Sequence, residues 1–188
     1  MKYVIAENYN SLDRLKSWDE ETQKAIQKRI LEEKKGKTAF SFLGIDKGRI
    51  LKALVDLLIP QPAGETYIEI AEIIDRSLTH KKEGVRYGDD PWRGEFYEQS
   101  LAVIMDMTAT GAAIERILSS VLRKNDEYPL KRFVRLVLRD AALIYYSHPS
   151  AWNEIGFPGP SYPEGYFMLG CGESDPWEPQ YRKLDHEE

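Results

Sequence analysis

Three histidines and one cysteine are the residues best suited to acid–base or nucleophilic chemistry. His80 falls at a predicted helix end beside two lysines, where a cation would interact with the helix dipole, and His186 lies in an acidic C-terminus. His148 precedes Pro149 among aromatic neighbours, so it is either a catalytic base or a structural hydrogen-bonding group. Cys171 stands between two glycines in acidic surroundings, which disfavour a thiolate. We therefore expect an unreactive thiol there.

Carboxylates are numerous, but their spacing does not predict a metal centre. Metal-binding bundle cores pair Glu-x-x-His motifs on facing helices, and this chain has no Glu-x-x-His. Glu69, Glu72 and Asp75 share one helical region and are expected to face solvent. Asp56 and Asp106 lie inside apolar stretches, where each could cap a helix or pair with an arginine. The sequence thus predicts no catalytic, cofactor-binding or metal-binding residue in this chain.

Charge and glycine patterns exclude two further classes. The net charge is −5 and the pI about 5.4, which argues against a nucleic-acid-binding protein. The run Gly156-Phe-Pro-Gly159 lacks the strand and helix context of a phosphate-binding loop. Arg132, Arg135 and Arg139 fall on one helix face. They form either a solvated ridge with salt bridges or an anchor for an acidic partner surface.

Apolar residues at helical spacing predict an all-α fold, a bundle of about six helices. The helices are expected at about 10–35, 47–59, 65–80, 91–108, 111–123 and 129–146. Asn10 or Ser11 is the expected cap of the first helix, Gly36 its stop, and Asp90 the cap of the fourth. We divide the chain into a lead-in at 1–9, a helical bundle at 10–147 and a C-terminal arm at 148–188.

The C-terminal arm carries six of the ten prolines together with many aromatic residues. Proline and glycine recur every few residues, so we expect no helix in it. The aromatic content excludes a flexible linker. These side chains must be buried either against the arm's own bundle or against another protein, and composition leaves both possibilities open.

The arm resembles a known family. The shared pattern begins with Tyr146-Ser-His-Pro149-x-x-Trp152-x-x-Ile-Gly156-Phe-x-Gly159-Pro160, continues through Gly165-Tyr166, and is followed by Asp175-Pro-Trp-Glu178. Upstream, an apolar helix ending in Ile59-Pro60 and the acid Asp75 fit the same family. Over about residues 40–180 the chain is similar to the gluconate 2-dehydrogenase subunit 3 family.

The resemblance implies a non-catalytic accessory subunit that binds and stabilises a large flavoprotein of the glucose–methanol–choline type. That partner would carry FAD and oxidise a sugar, glycoside or polyol, while this chain would hold no cofactor; a cytochrome subunit is a further candidate partner. On this interpretation the arm docks on the partner. Its predicted partner-binding residues are His148, Pro149, Trp152, Gly156, Phe157, Pro160, Tyr162, Tyr166 and Trp177.

Location and two alternative functions stay open at this point. No apolar run is long enough for a membrane span and no twin-arginine motif is present, although many family members carry one. We expect a cytoplasmic protein as written, or a periplasmic one if an export signal was removed. The alternatives are an enzyme using His148 and Glu154 as acid and base, and a module that homodimerises through the arm.

Overall fold

A computed structural model describes residues 3–5, 9–33, 40–61, 67–79, 92–160, 178 and 181–183. Within them lie a 3-10 helix, seven α-helices and one two-stranded ribbon. The bounds are Ser11–Ser17 for the 3-10 helix, Glu20–Glu33 (α1), Gly44–Leu58 (α2), Ile70–Thr79 (α3), Arg93–Ala109 (α4), Ile114–Leu122 (α5), Pro129–Ser147 (α6), Pro149–Ile155 (α7), Tyr3–Ile5 (β1) and Tyr181–Lys183 (β2). The all-α prediction is confirmed. The antiparallel ribbon, with Val4 opposite Arg182, was not predicted.

The chain forms two compact units. The terminal unit comprises residues 1–34 and 146–188, and the central unit comprises residues 35–145. The boundary falls inside α6, so Tyr146 and Ser147 count with the terminal unit. The two chain ends thus share one unit, which the sequence did not predict. A separate role for residues 148–188 as an arm stays a prediction.

The central unit is built around α2 and α4. Helix α2 contacts α3, α4 and α5, and α4 also contacts α3 and α5. The residues that meet there are aliphatic or aromatic and recur at helical spacing, so each helix buries one stripe. Those with at most 1% of their surface exposed include Leu51, Leu54, Ile74, Leu78, Leu101, Ile104, Phe133 and Val137.

A buried carboxylate holds the start of α2. Asp75 is 1% exposed. Its Oδ2 accepts hydrogen bonds from the Ser41 N–H at 2.7 Å and the Phe42 N–H at 3.2 Å, and its Oδ1 accepts from the Leu43 N–H at 2.8 Å. These backbone donors precede α2 and have no acceptor within it. The expectation that Asp75 and Glu72 face solvent was therefore wrong, since both are buried.

A second buried carboxylate joins α4 to α6. Asp140 Oδ2 accepts from Arg93 Nε at 3.0 Å and from the Tyr97 hydroxyl at 2.9 Å. The same guanidinium donates to Ser77 on α3. Burial, followed by the negative charge of Asp140, raises the pKa of Tyr97 well above its usual value. The phenol therefore stays protonated and donates.

Several predicted boundaries shift. The first helix is broken at Trp18 and Asp19, because Asp19 Oδ1 accepts from the backbone N–H groups of Glu21 and Thr22, both at 2.9 Å, and so begins a new helix. Asn10 caps the preceding 3-10 helix as predicted, accepting from the Leu12 N–H at 3.1 Å. The third helix begins at 70 rather than 65. The predictions for Gly36, His80, Asp90, Cys171 and His186 lie outside the described residues.

Candidate partner-binding surface

The segment after α6 folds into a short helix, which corrects the expectation that prolines and glycines exclude one. Pro149 occupies the first turn of α7, where its missing N–H costs nothing. His148 is the N-cap, and its Nδ1 accepts from the Ser150 N–H at 3.2 Å. Gly156 ends the helix in the left-handed region at φ 71°. The two supposed helix breakers are thus the start and stop signals of α7.

Trp152 is the centre of the terminal unit. It is 2% exposed and belongs to a core cluster with Trp18 and Ile26, against which Leu12, Leu15 and Ile30 pack. The rings of Trp152 and Trp18 meet edge to face, with centroids 6.3 Å apart. Each buried indole N–H finds a backbone acceptor: Trp152 donates to the Tyr146 carbonyl at 3.0 Å, and Trp18 donates to the Pro160 carbonyl at 2.8 Å. Both tryptophans therefore satisfy their polar atoms within this chain.

Gly159 lets the main chain pass close to Trp18. Its φ is 85°, and a Cβ at this position would lie 2.4 Å from Trp18 Cζ2. Both the backbone conformation and the contact exclude any other residue without rearrangement. The glycine therefore allows the Pro160 carbonyl to reach the Trp18 indole.

Polar contacts complete the attachment of the N-terminal segment to α7. Asn153 Oδ1 accepts from the Ser11 N–H at 2.8 Å and from the Ser11 hydroxyl at 2.9 Å. Arg29 donates to the Ser147 carbonyl at 2.9 Å, at the C-terminal end of α6, where a cation is favoured. Residues 148–160 of the arm are thus packed on residues 10–30 of their own chain.

His148 is buried in this arrangement. Burial is the main cause that lowers its pKa, and the positive charge of Arg29 acts in the same direction, while a hydrogen bond to the backbone of Arg29 opposes them. The side chain is therefore neutral near pH 7. Because Nδ1 caps α7, the imidazole has a structural role, and its use as a base together with Glu154 stays a prediction.

The predicted partner-binding residues divide into three groups. His148, Pro149, Trp152 and Gly156 are buried, and Pro160 is engaged through its carbonyl oxygen. Phe157 remains 38% exposed and packs edge to face on Trp152 at 5.4 Å. The last group, Tyr162, Tyr166 and Trp177, lies outside the described residues. Partner binding by all nine residues stays a prediction.

Two further exposed apolar residues of this segment were missed. Ile155 is 45% exposed and Tyr146 is 50% exposed. Ile155 lies three residues after Trp152 on α7, and the main-chain carbonyl of Tyr146 accepts from the Trp152 indole. We define Tyr146, Ile155 and Phe157 as the apolar triad. Reading residues 149–155 as a helix with Trp152 buried would have placed Ile155 toward its edge.

A cluster of titratable side chains occupies the central unit. Lys52 donates to the Tyr67 hydroxyl, which donates to Asp56 at 2.5 Å, and Lys52 also lies 3.8 Å from Glu69. Burial and the Asp56 carboxylate raise the pKa of Tyr67 to about 12. Glu72 is 8% exposed. Burial, and then the nearby charge of Glu69, raises the pKa of Glu72. These pairings tie α2 to the segment entering α3.

The arginine ridge of α6 is engaged in ion pairs. Arg135 lies 2.9 Å from Asp126, and Arg139 lies 3.4 Å from Asp140. The salt-bridged interpretation therefore holds for these two residues.

Across the described part of the chain, no group of three or more His, Cys, Asp or Glu residues is placed to hold a metal ion. No helix within the described ranges is long and apolar enough to cross a membrane.

Comparison with protein families identifies the chain. A family model described as gluconate 2-dehydrogenase subunit 3 matches residues 45–159, which is more than half of the chain. The chain belongs to the gluconate 2-dehydrogenase subunit 3 family. The suspected resemblance is thereby confirmed. No curated protein and no solved structure matches the chain.

The matched range has a structural meaning for this member of the gluconate 2-dehydrogenase subunit 3 family. It begins in the first turn of α2 and ends at Gly159, so it includes α2 to α7 with Trp152, Gly156 and Phe157. Trp18, which covers Trp152, and the motif from Asp175 to Glu178 lie outside it. The N-terminal segment that buries the family's tail residues in this chain is thus not part of the family match.

Proposed function

We propose that this chain is a non-catalytic small subunit that binds and stabilises the large FAD-dependent oxidoreductase subunit of a dehydrogenase acting on a sugar, glycoside or polyol. The family match over residues 45–159 carries the proposal, because the family is described as the third subunit of a dehydrogenase. A third subunit implies partner chains, and the hydride chemistry belongs to the chain that holds the flavin.

The apolar triad is the proposed contact surface. Tyr146, Ile155 and Phe157 expose large apolar side chains, and Phe157 packs on the buried Trp152. Exposed aromatic and aliphatic residues held on a rigid support are typical of interfaces. In this proposal the buried Trp152 and His148 contribute to partner binding by fixing the geometry of α7, so that the triad is presented without a large entropy cost.

FAD is assigned to the partner in this proposal. Dinucleotide sites of the common type need a glycine-rich turn between a strand and a helix in a parallel sheet. The structure describes only one short antiparallel ribbon and helices. What this chain contributes in the proposal is binding and stabilisation of the partner, not a residue in contact with the flavin.

Co-expression with a large flavoprotein subunit of the glucose–methanol–choline type from the same genome is the direct test. We expect both chains to elute together in size-exclusion chromatography. The visible absorbance of the bound flavin should appear in the same peak. Leaving out this chain should lower the soluble yield of the flavoprotein. Two separate peaks, with an unchanged flavoprotein yield, would show that the proposal is wrong.

Matched variants locate the interface. Ile155→Asp with Phe157→Ser should weaken co-elution, because charge and lost apolar area at a buried contact cost on the order of 2–4 kcal/mol. Val103→Asp is the control, since Val103 is a similarly exposed apolar residue, 48% exposed, on α4. If the control weakens co-elution equally, the triad is not the contact. A stable homodimer of the isolated chain by light scattering, lost in the double variant, would favour the homodimeric module instead.

A further inference from the structure

Exposed cations lie on α5 and directly after it, and helix stability does not explain the first of them. Arg116, Ser119 and Ser120 on α5, and Arg123 and Lys124 just after its last residue, are exposed, whereas Ile117 and Val121 are buried. We call these five exposed residues the α5 basic face. Arg116 lies in the first turn of α5, where the helix dipole disfavours a positive charge. The five line an open concavity together with Glu115.

The segment from α5 into α6 is basic, although the protein as a whole is acidic. Residues 114–140 contain seven Lys and Arg against four Asp and Glu, a net charge of +3, whereas the whole chain carries −5. On the α6 side these cations have carboxylate partners: Lys131 and Arg135 share Asp126, and Arg139 lies beside Asp140. Among the residues that the structure describes, Arg116 and Arg123 have no carboxylate within ion-pairing distance. Positive charge that lacks a counterpart is therefore concentrated on α5.

From this geometry we infer that the α5 basic face binds an acidic peptide segment of the partner subunit. Arg116 and Arg123 are seven residues apart, which at 1.5 Å per residue separates them by roughly 10 Å along the helix. That distance corresponds to about three residues of an extended chain, and it exceeds the size of a single phosphate group. Guanidinium groups bind carboxylates in bidentate fashion, and the serine hydroxyls between them can donate to the same segment.

The inference rests on the proposed function only for the identity of the partner. Recognition of clustered carboxylates is a property of the α5 basic face and can be measured on the isolated full chain. The face lies on α5 in the central unit, whereas the apolar triad lies in the terminal unit. Separate variants can therefore test the two surfaces independently.

The test is a titration of the isotope-labelled full chain with an eight-residue oligoglutamate peptide at low salt, observed by NMR. We expect the amide signals of Ser119 and Ser120 to shift, and the peptide Kd to rise about 10-fold in Arg116→Gln with Arg123→Gln, since each exposed charge pair contributes modestly. Lys16→Gln with Arg49→Gln is the control, because it removes two exposed positive charges elsewhere and should leave the Kd unchanged.

Each other outcome overturns the inference. An equal loss in the control variant would mean that net charge alone attracts the peptide. Tighter binding of an oligothymidylate of equal length would make the ligand a nucleic acid, and equal displacement by inorganic phosphate would make it a small-anion site. Absence of shifts on α5 would mean that the face binds no acidic segment. If the wild-type chain fails to co-elute with the flavoprotein, the proposed function falls while the peptide titration still decides this inference.

Discussion

The central and terminal units bury their polar groups in different ways. In the central unit, buried carboxylates receive several donors at once: Asp75 takes the backbone N–H groups before α2, and Asp140 takes Arg93 and Tyr97. In the terminal unit the buried polar side chains that the structure describes are neutral: Ser11 donates to Asn153, His148 accepts from the Ser150 N–H, and each indole N–H donates to one main-chain carbonyl. The central unit thus buries charged groups, whereas the terminal unit buries neutral polar groups.

The difference predicts unequal dependence on single residues. The central core draws aliphatic side chains from α2, α3, α4, α5 and α6, so neighbouring residues can compensate for the loss of one. Among the described residues, the core cluster of the terminal unit has three buried members, Trp18, Ile26 and Trp152. A small core loses a large share of its burial when one member is truncated. The terminal unit should therefore open locally at a lower free energy than the central unit.

Trp152→Ala should produce the largest effect. Truncation of a fully buried tryptophan costs about 3–5 kcal/mol, and here it also leaves the Tyr146 carbonyl without its donor. We expect amide hydrogens in α1 to exchange much faster, while those in α4 keep their protection, as measured by hydrogen exchange with mass spectrometry. Phe157→Ala, a half-exposed neighbour, should cost far less. Unchanged protection of α1 would contradict the division into two independent cores.

Asp75→Asn should have the next largest effect, in the other unit. The side chain keeps its size, but an amide NH₂ replaces one oxygen that faces backbone donors, and an unsatisfied buried group costs about 1–3 kcal/mol. We expect a lower urea midpoint and faster amide exchange at Ser41, Phe42 and Leu43. The matched control is Asp106→Asn on the exposed face of α4. Similar midpoints for the two variants would show that Asp75 is not the anchor of α2.

Local periodicity was enough to predict the long helices of the central unit. The helix predicted at 129–146 is α6 at Pro129–Ser147, and the predicted end near 108 is close to the observed end of α4 at Ala109. The start of α2 was missed by three residues because its N-terminal donors are satisfied by Asp75, which lies more than thirty residues away in the sequence. No local pattern encodes that acceptor.

The terminal unit shows what the sequence could not provide. The aromatic content of the tail indicated that Trp152 must be buried, but not where, because Trp18 lies 134 residues earlier and outside the family match. Helix α7 is different, since its signals were local. Pro149 at the start and Gly156 at the end are common helix boundary residues. The expectation that they exclude a helix was wrong, because α7 needs only the seven residues Pro149–Ile155.

The smallest predicted effect is an opposite response of the two units to pH. The pKa of His148 is lowered below 6.5, chiefly by burial, so the unfolded state binds the proton more readily. The terminal unit should therefore lose stability as the pH falls below about 6.5. The pKa of Glu72 is raised above 4.5, chiefly by burial, so the folded state holds that proton more tightly. The central unit should therefore lose stability as the pH rises through the pKa of folded Glu72.

Two conservative variants isolate these groups. His148→Asn keeps a side chain that can cap α7 but cannot be protonated, and Glu72→Gln removes the carboxyl charge at nearly constant volume. Hydrogen exchange between pH 7 and pH 5, corrected for the intrinsic rate, should show α1 and α7 losing protection in the wild type but not in His148→Asn. Glu72→Gln should stabilise α3 at pH 7 by about 1 kcal/mol and give no gain at pH 4. A pH response of the same sign in both units would contradict this account, in which one core buries neutral polar groups and the other buries charged ones.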